Sequence, residues 1–439
     1  MIAHLTGIAR ARFFIATTVF GVAALTGACV ADGGDPGDEI AWLTSVDSVG
    51  DTTLVRITGE VPPGAVRSLV PELRVGAEDG GEEETFGSIS TVFGTPDGGL
   101  IVYDDQANAI RMFDSLGAYV RTVGAKGGGP GEYGHLNGLV RMPDGRLVAW
   151  DATGGRLNFY AATGDFLSTA RMPFTGFGAS NVLHIDASGS LYATAMLERD
   201  SVDFTRSKDG LIKMDVKGTV LDSIPFLQWR EPAALLRASS PDGGRQIAFG
   251  MPFAPFDITR LLPSGGLVSG PGDPYVLYLT QPDGSKPVRI EREHVPVAVT
   301  STEASERREQ IEQGMKRVNP AWTWTGPAIP SQKPAYRAIL VGRDGRIWVS
   351  LSTPTEPIPE KELLPVREGA PPTVRLTTRE PVVYDVFSSS GRLLGGVALP
   401  PKTTLYTMEG AHAWGVQRDS LDVEYAVRFR IEPVFPIGR

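Results

Sequence analysis

Two stretches of this chain are similar to each other at an offset of 47 residues. Each contains a Pro-Asp-Gly turn, a short apolar strand, an aromatic residue followed by Asp, and a second glycine turn. The matching positions are Phe86 and Tyr133, Asp97-Gly98 and Asp144-Gly145, Leu100 and Leu147, Asp104 and Asp151, Phe113 and Tyr160, and Gly117 and Gly164. A period of about 40–50 residues built from short strands and tight turns is typical of a β-propeller. The repeat therefore predicts an all-β fold.

The turns that join the two innermost strands of each blade predict a six-bladed β-propeller. In a blade, four antiparallel strands, a to d, run outward from a central channel, and tight turns favour glycine because it adopts positive φ at little cost. The a–b turns are Asp97-Gly98, Asp144-Gly145, Ser188-Gly189, Ser264-Gly265, Asp344-Gly345 and Glu409-Gly410. The c–d turns follow at Gly117, Gly164, Gly218, Gly284 and Gly391, and the sixth repeat lacks one.

The missing turn indicates how the ring closes. The sixth repeat ends in an apolar strand c at 427–431, so its strand d must come from elsewhere in the chain. Residues 76–81 align with 124–129, which places Leu73–Val75 where a strand d stands. We therefore predict that this N-terminal strand closes the last blade, which removes exposed sheet edges. Thr53–Ile57 is a further strand to which the repeat assigns no place.

The N-terminus has the pattern of an export signal. Arg10 and Arg12 precede an apolar run of 13 residues, Phe13 to Leu25, too short to span a bilayer but long enough for a signal-peptide core. Thr26-Gly27-Ala28-Cys29 follows and resembles a bacterial lipobox, although Thr26 stands where that family has an aliphatic residue. The resemblance implies lipidation of Cys29, and the alternative is an ordinary secretory signal with an incidental cysteine.

These features divide the chain into three parts. We predict a signal peptide over 1–29, a flexible Gly-rich tether over 30–41, and a single propeller domain over 42–439. The expected location is outside the cytoplasm, on the periplasmic side or the cell surface, with the membrane reached only through a lipid anchor.

One segment resembles a known repeat family. Gly124-Ala125-Lys126-Gly127-Gly128-Gly129-Pro130-Gly131-Glu132-Tyr133 is similar to the G-x-x-G-x-G-P-G-E-[FY] segment of NHL-type repeats. The chain from about residue 42 is similar to the NHL-like and TolB-like six-bladed propeller proteins of bacterial cell envelopes, many of them lipoproteins. The resemblance implies the fold and says little about chemistry, since propellers host unrelated functions.

Composition excludes several kinds of site. The net charge of −9 and the pI of about 5.3 argue against nucleic-acid binding, which needs a basic face. The five histidines are scattered without metal-ligand spacing, and a single cysteine makes no thiolate site. The glycine-rich loop at 124–131 lacks the following helix and Lys-Ser/Thr of a phosphate loop.

Long insertions are predicted on one face of the ring only. They fall in b–c and d–a connections, whereas the a–b and c–d turns on the other face stay short. The insertions are Leu197–Asp209, Phe226–Gly250, Arg292–Tyr336 and Ser352–Pro381. Insertions confined to one face of a repeat protein usually build its binding surface. The alternative is neutral variation of loop length.

Aromatic and arginine residues in or near these connections are the candidate ligand contacts, because such residues commonly anchor partners. They are Tyr133, Trp229, Arg230, Trp322, Trp324 and Arg337. The alternative is that they pack on one another as a small satellite core. The third insertion also predicts a helix from Thr302 to Arg317, ended by Pro320, which would be a lid or a solvated cover over the channel mouth.

Three classes of function remain open. The favoured one is a monomeric, non-catalytic module that binds a peptide, a glycan or an envelope protein, with no catalytic residues, metal or cofactor. The runner-up is a metal-dependent propeller enzyme of the lactonase or lyase type, for which calcium would be the cation of a lactonase-like site. Its candidate ligands are Asp104, Asp151 and Asp419, which end b strands and are more commonly turn formers, with Asn108 and Asn158 nearby in sequence. The third is a structural envelope scaffold.

Overall fold

β-Strands make up nearly half of the residues in the computed structural model, which describes residues 42–174, 183–200, 207–231, 233, 235–363 and 374–436. The predicted signal peptide, the tether and Cys29 therefore lie outside the described residues. Three strands precede the first blade: β1 (Trp42–Val49), β2 (Thr52–Gly59) and β3 (Val66–Val75). A single 3-10 turn, Pro63–Ala65, separates β2 from β3.

The first three blades follow the predicted order. Blade one contains β4 (Ile89–Gly94), β5 (Leu100–Asp104), β6 (Ala109–Phe113) and β7 (Tyr119–Val123), and the short β8 (Ala125–Lys126) and β9 (Glu132–Tyr133) follow. Blade two contains β10 (Leu136–Arg141), β11 (Leu147–Asp151), β12 (Arg156–Tyr160) and β13 (Phe166–Arg171). Blade three contains β14 (Leu183–Ile185), β15 (Leu191–Glu198), β16 (Lys208–Met214) and β17 (Val220–Pro225). Each forms a four-stranded sheet in sequential order.

The last three blades carry the insertions. A hairpin, β18 (Leu235–Ser239) and β19 (Gln246–Gly250), precedes blade four, which contains β20 (Ile258–Leu261), β21 (Leu267–Gly270), β22 (Val276–Thr280) and β23 (Val288–Arg292). The helix α1 (Ser301–Lys316) precedes blade five, which contains β24 (Tyr336–Val341), β25 (Ile347–Leu351), β28 (Val383–Phe387) and β29 (Leu393–Ala398) and encloses β26 (Glu356–Pro357) and β27 (Thr378–Arg379). Blade six contains β30 (Thr403–Glu409), β31 (His412–Arg418) and β32 (Glu424–Glu432).

The predicted ring closure is confirmed. Strand β3 pairs antiparallel with β32, so that Leu73 lies opposite Arg428, Arg74 opposite Val427 and Val75 opposite Ala426. The N-terminal strand thus supplies strand d of blade six. Its apolar side chains are buried between blades six and one, in a cluster that contains Leu73, Val75, Phe86 and Trp414.

The strand that the repeat did not place extends blade four. Strand β2 pairs in parallel with β23, the outermost strand of that blade, and β1 continues the sheet beyond β2. The beginning of β3 then pairs in parallel with β29 of blade five before the strand continues into blade six. The N-terminal segment therefore lines the outer edges of three successive blades, and it leaves the outer strands of blades one to three uncovered.

The core lies between adjacent blades. Buried side chains from blades one and two form one cluster, and equivalent clusters fill the junctions of blades two and three, four and five, five and six, and six and one. The junction of blades three and four is the poorest, with only Tyr192, Leu211 and Leu261 fully buried. The tight turns behave as expected, since Gly98 and Gly145 both adopt a φ of 90°.

The helix α1 begins and ends within one residue of the prediction. Thr300 caps it, accepting a hydrogen bond from Glu303 N at 3.2 Å, while the Glu303 carboxylate accepts from Thr300 N at 3.0 Å. This reciprocal arrangement is a capping box, which satisfies two backbone donors of the first turn. Within the described residues, no helix is long and apolar enough to cross a membrane.

Candidate functional site: the insertion face and the channel

The insertions form one connected layer on the face of the b–c and d–a connections, which we call the insertion face. Side chains from the β18–β19 hairpin and its flank pack against α1 and the segment that follows it. The buried members of this cluster are Leu236, Ala238, Met251, Met315, Val318 and Trp322. The Trp322 indole also donates a hydrogen bond to Arg237 O at 2.8 Å. For Trp322, the structure supports the alternative of a satellite core.

A buried ion-pair network ties α1 to blade five. The ammonium of Lys333 is fully enclosed and lies 2.7 Å from a carboxylate oxygen of Glu303 and 2.7 Å from one of Glu380. It also donates to Thr353 O at 2.9 Å and to Thr355 Oγ1 at 2.8 Å. Burial alone would raise the pKa of Glu303, but its hydrogen bonds from Lys333, Thr355 and Thr300 lower it below the usual value. The carboxylate is therefore held in its charged form.

A second contact joins α1 to the fourth insertion. The Glu306 carboxylate accepts hydrogen bonds from Thr377 N at 2.8 Å, Thr377 Oγ1 at 2.6 Å and Thr378 Oγ1 at 2.8 Å. Burial opposes ionisation, but these bonds lower the pKa of Glu306 overall. The second, third and fourth insertions are thus mechanically linked over blades four and five.

Trp229 and Arg230 are fixed on blade four. The Trp229 ring stacks on Tyr278 with centroids 4.0 Å apart and planes 13° from parallel, and its backbone N–H donates to Asp257 at 2.8 Å. Arg230 lies 3.6 Å from the same carboxylate and donates to the carbonyl of Asp273. Both residues remain partly accessible. They could offer an aromatic edge and a guanidinium to a ligand at this face.

Tyr133 has a packing role. Its side chain is completely buried between blades one and two. The hydroxyl donates to Val123 O at 3.0 Å and accepts from Ile110 N at 3.1 Å. Tyr133 therefore has no surface with which to contact a ligand in this conformation. Tyr336 of blade five is buried in the same way and donates to Val276 O at 3.0 Å.

Trp324 and Arg337 are half-exposed on the insertion face. The Trp324 indole donates to Pro327 O at 3.0 Å, and the guanidinium of Arg308 lies 5.2 Å from its ring centroid. Arg337 is the extra residue of a β-bulge in β24, because Tyr336 pairs with Leu351 and Ala338 with Ser350. Bulges re-aim a side chain, and Arg337 reaches Glu380 at 2.5 Å.

The same face exposes apolar side chains outside the predicted set. Phe249 of the β18–β19 hairpin is 41% exposed, and Phe256, before blade four, is 52% exposed. Leu227, Leu235 and Val295 in the same connections are also exposed. In the sequence, Phe249 and Phe256 lie in or just after the second insertion. Nothing in the sequence distinguishes these exposed side chains from Trp322, which is buried in the cluster beneath.

The candidate metal ligands are engaged in local structure. Asp104 accepts from Gly87 N at 3.0 Å and Ser88 N at 3.1 Å, and Asp151 accepts from Gly134 N at 3.2 Å and Gly154 N at 3.1 Å. Asp419, Asn108 and Asn158 are likewise hydrogen-bonded to nearby backbone or side chains. Within the described residues, no group of three or more His, Cys, Asp and Glu side chains could hold a metal ion. Asp104 and Asp151 stabilise the turns that follow their strands, whereas Asn158 lies within β12 and bonds to Glu132 O.

Charged side chains meet across the channel at the end opposite the insertion face. Arg141 at the end of blade two's inner strand lies 2.7 Å from Glu409 of blade six. Arg343, in the a–b turn of blade five, donates to Arg141 O at 2.9 Å and lies 3.4 Å from Glu409. Blades two and five are opposite each other in a ring of six, so these contacts must cross the axis. We call this group the channel plug.

The channel plug was not predicted from the sequence. Each member lies in or beside an a–b turn, in Arg141-Met142-Pro143-Asp144-Gly145, Arg343-Asp344-Gly345 and Glu409-Gly410. Alignment of those turns would have shown that charged residues cluster at one level of the ring. It could not have shown that they meet.

Two more polar residues lie on inner strands next to the plug. His184 is on β14 and Arg260 on β20, the innermost strands of blades three and four. Arg260 is accessible to solvent, yet burial among surrounding protein lowers its pKa. Burial, and then the nearby Arg260 charge, lower the pKa of His184 to about 4. Both side chains therefore have many protein atoms around them on the inner strands.

A family model supports the fold, and several solved structures are similar at low identity. Residues 81–223 match the DUF5128 family model, described as a six-bladed β-propeller. An exported protein from Bacteroides fragilis is 12% identical, with 85% of this chain and 98% of that one covered and a TM-score of 0.46. A member of the duf4221 family from Bacteroides vulgatus is 12% identical, with coverage of 84% and 99% and a TM-score of 0.49.

A virginiamycin B lyase from Staphylococcus aureus is 9% identical, with 89% of this chain and 91% of that one covered and a TM-score of 0.31. Comparison with curated proteins gives no match. Identity at this level concerns fold alone. The strand order and the family match together show that the chain is a six-bladed β-propeller.

Proposed function

We propose that this six-bladed β-propeller is an extracytoplasmic, non-catalytic binding module that uses its insertion face and is anchored through a lipid on Cys29. The observation that carries the proposal is the asymmetry of the two faces. One face bears a linked layer of insertions, whereas the other has only short turns and the channel plug. Insertions on a rigid scaffold are where repeat proteins place their binding residues.

The insertion face has the character of a recognition surface. Its layer is supported from beneath by the Trp322 cluster and by the Lys333 ion pairs. Above that support it exposes Phe249, Phe256 and part of Trp324. Aromatic side chains on a fixed support bury large contact area at a small cost in conformational entropy. A peptide, a glycan or an envelope protein would fit such a surface.

The test compares exposed apolar residues on the two faces. Phe249→Ala and Phe256→Ala remove side chains from the insertion face, and Leu116→Ala removes an exposed side chain from a c–d turn on the opposite face. The labelled full chain is incubated with a glycan array, a peptide library and a detergent extract of the producing cell's envelope. We expect binding to weaken in the phenylalanine variants and to persist in Leu116→Ala. Loss of binding only in Leu116→Ala would place the binding site on the face of the short turns and would contradict the proposal.

Metal analysis tests the alternative of a metal-dependent enzyme. The carboxylates of Asp104 and Asp151 already accept several backbone hydrogen bonds, which leaves few lone pairs for a cation. We expect purified protein to contain no stoichiometric calcium or zinc. Stoichiometric metal that is lost in Asp104→Ala or Asp151→Ala would favour the enzyme instead.

Membrane attachment is tested by labelling with palmitate. We expect incorporation into the wild-type chain, none into Cys29→Ala, and release of that variant as a soluble protein. Incorporation that persists in Cys29→Ala would argue against the anchor. Stable anchoring needs more than one acyl chain, because a single chain binds a bilayer only reversibly.

A further inference from the structure

The plug lies at the end of the channel opposite the insertion face. Arg141, Arg343 and Glu409 contact one another across the axis at the level of the a–b turns. His184 and Arg260 lie one residue further from those turns than Arg141 does. Arg141 pairs with the first residue of its strand b, whereas His184 and Arg260 pair with the second residue of theirs. The five side chains therefore belong to two adjacent levels at this end of the channel.

The end of the channel that holds the plug carries an excess of positive charge. Arg141 and Arg343 share a single carboxylate, that of Glu409. Burial, and then the neighbouring Arg141 charge, lower the pKa of Arg343, while Glu409 opposes that change. The nearby carboxylate of Asp344 is not available, since it accepts from Gly410 N at 2.8 Å and lies 3.3 Å from Arg346.

Arg260 adds a cation without a matching anion. Its recorded hydrogen bond is to the adjacent carbonyl of Thr259, at 2.8 Å. No carboxylate in the described part of the chain forms an ion pair with it. The whole chain has a net charge of −9, so this local excess of cations is opposite in sign to the net charge of the protein. Like charges that are held close together repel one another, and an anion that binds between them relieves this repulsion.

We propose that the plug end of the channel binds a carboxylate or phosphate group of a ligand that enters from the insertion face. Arg260 would supply the main contact, because its guanidinium is accessible and has no anionic partner among the described residues. Arg141 and Arg343 would contribute long-range attraction while remaining in the plug. The proposal deepens the binding function above and rests on it, since the plug occupies the opposite end and the ligand would enter from the insertion face.

Binding is measured by calorimetry on the full chain, purified in detergent, at constant ionic strength. Inorganic phosphate, succinate and chloride are titrated separately, so that the arms distinguish a phosphate from a carboxylate site and from general anion binding. Arg260→Gln removes the proposed contact. Arg289→Gln is the matched control, because Arg289 is on the outer strand of the same blade, half-exposed and 2.7 Å from Glu291.

We expect phosphate or succinate to bind saturably, Arg260→Gln to weaken binding by at least about tenfold, and Arg289→Gln to leave it nearly unchanged. Absence of saturable binding by both probes would overturn the proposal. Equal affinity in Arg260→Gln would also overturn it. Chloride affinity equal to that of either probe would mean an adventitious ion only.

A second measurement tests the geometry without a ligand. The chain has five histidines, so the His184 ring signal can be assigned in an NMR titration by comparison with His184→Gln. Arg260→Gln should raise the pKa of His184 from about 4, because it removes the charge that opposes protonation. Arg289→Gln should not. An unchanged His184 pKa in Arg260→Gln would show that the two side chains do not face each other.

The failures of the two proposals are distinguishable. If Phe249→Ala abolishes binding of a ligand while neither anion binds the channel, the insertion face functions without the anion site. If phosphate or succinate binds through Arg260 but no probe depends on Phe249 or Phe256, the channel site stands and the wider recognition surface does not.

Discussion

The buried charged residue Lys333 joins separate parts of the chain. Lys333 is enclosed by two carboxylates from different insertions, Glu303 on α1 and Glu380 after β27. Each charge depends on the others, because an isolated buried charge pays a large desolvation penalty. Lys333 therefore holds the insertion layer in place.

We predict that Lys333→Met destabilises the domain by about 3–5 kcal/mol, because it leaves two buried carboxylates without their cation. Lys316→Met is the control, since Lys316 is half-exposed and pairs with Glu312 at 3.4 Å on the surface of α1. That variant should cost less than about 0.5 kcal/mol. Urea unfolding followed by tryptophan fluorescence measures both. Equal stability of the two variants would contradict a structural role for the network.

His184 makes stability depend on pH. Its pKa is about 4 in the folded chain, below the ordinary value of 6.5, so the unfolded chain binds more protons between those pH values. Stability from this group is complete above pH 6.5 and decreases as the pH falls toward 4, with a limiting slope of about 1.4 kcal/mol per pH unit. We expect His184→Gln to reduce the slope in that window. Thermal unfolding between pH 4 and pH 7 measures it, and an unchanged slope would contradict the burial of a neutral ring.

At the scale of elements, the N-terminal strands differ in importance. Strand β3 contributes buried Leu69, Leu73 and Val75 and is the fourth strand of blade six. Strand β1 lies at the outer edge of blade four, where Leu43, Val46 and Val49 are exposed. Strand β3 closes the ring, whereas β1 only extends a sheet that is already complete.

We therefore predict opposite results for two truncations. A chain that begins at residue 51 lacks β1 and should fold, with a melting temperature close to that of the full domain. A chain that begins at residue 77 lacks β3 and should fail to fold, because blade six would lose its outer strand and its seam with blade one. Circular dichroism and gel filtration distinguish the outcomes. A folded chain from residue 77 would contradict closure by β3.

At the scale of the whole molecule, the propeller leaves short outer sheet edges, and the chain protects several of them. The outer strands β7, β13 and β17 of blades one to three are not covered by the N-terminal segment. Each has a β-bulge near its start, because its pairing with the neighbouring strand c shifts by one residue. The shifts lie opposite Met112/Phe113, Phe159/Tyr160 and Lys213/Met214 of those strands. Such bulges twist an edge strand away from the geometry that a second chain would need.

We predict from this arrangement that the domain is a monomer. The exposed apolar residues on those edges, Val120, Leu167 and Leu221, stand at the bulged positions, where strand addition is hindered. Light scattering of the chain from residue 30 should give the monomer mass at all concentrations tested. A concentration-dependent dimer that is disrupted by Leu167→Lys would show that the edge is an interface instead.

The sequence alone determined the architecture because its signals are local. Asp-Gly, Ser-Gly or Glu-Gly turns recur at each blade, and the missing sixth c–d turn indicated closure by Leu73–Val75. The helix was likewise predicted from the sequence, with its end before Pro320. Turn chemistry and capping depend on a few neighbouring residues, so they can be read without knowing what lies across the ring.

Only the tertiary structure decided which side chains meet. Tyr133 and Trp322 have the composition of ligand contacts, yet neighbouring elements bury them. Arg141, Arg343 and Glu409 are ordinary turn-flanking residues in the sequence and become a plug because ring closure brings blades two, five and six to one axis. Contacts of this kind depend on the stagger and closure of the blades, which no local pattern encodes. The same closure sets the surroundings of Arg260 on the innermost strand of blade four, where it has no anionic partner among the described residues.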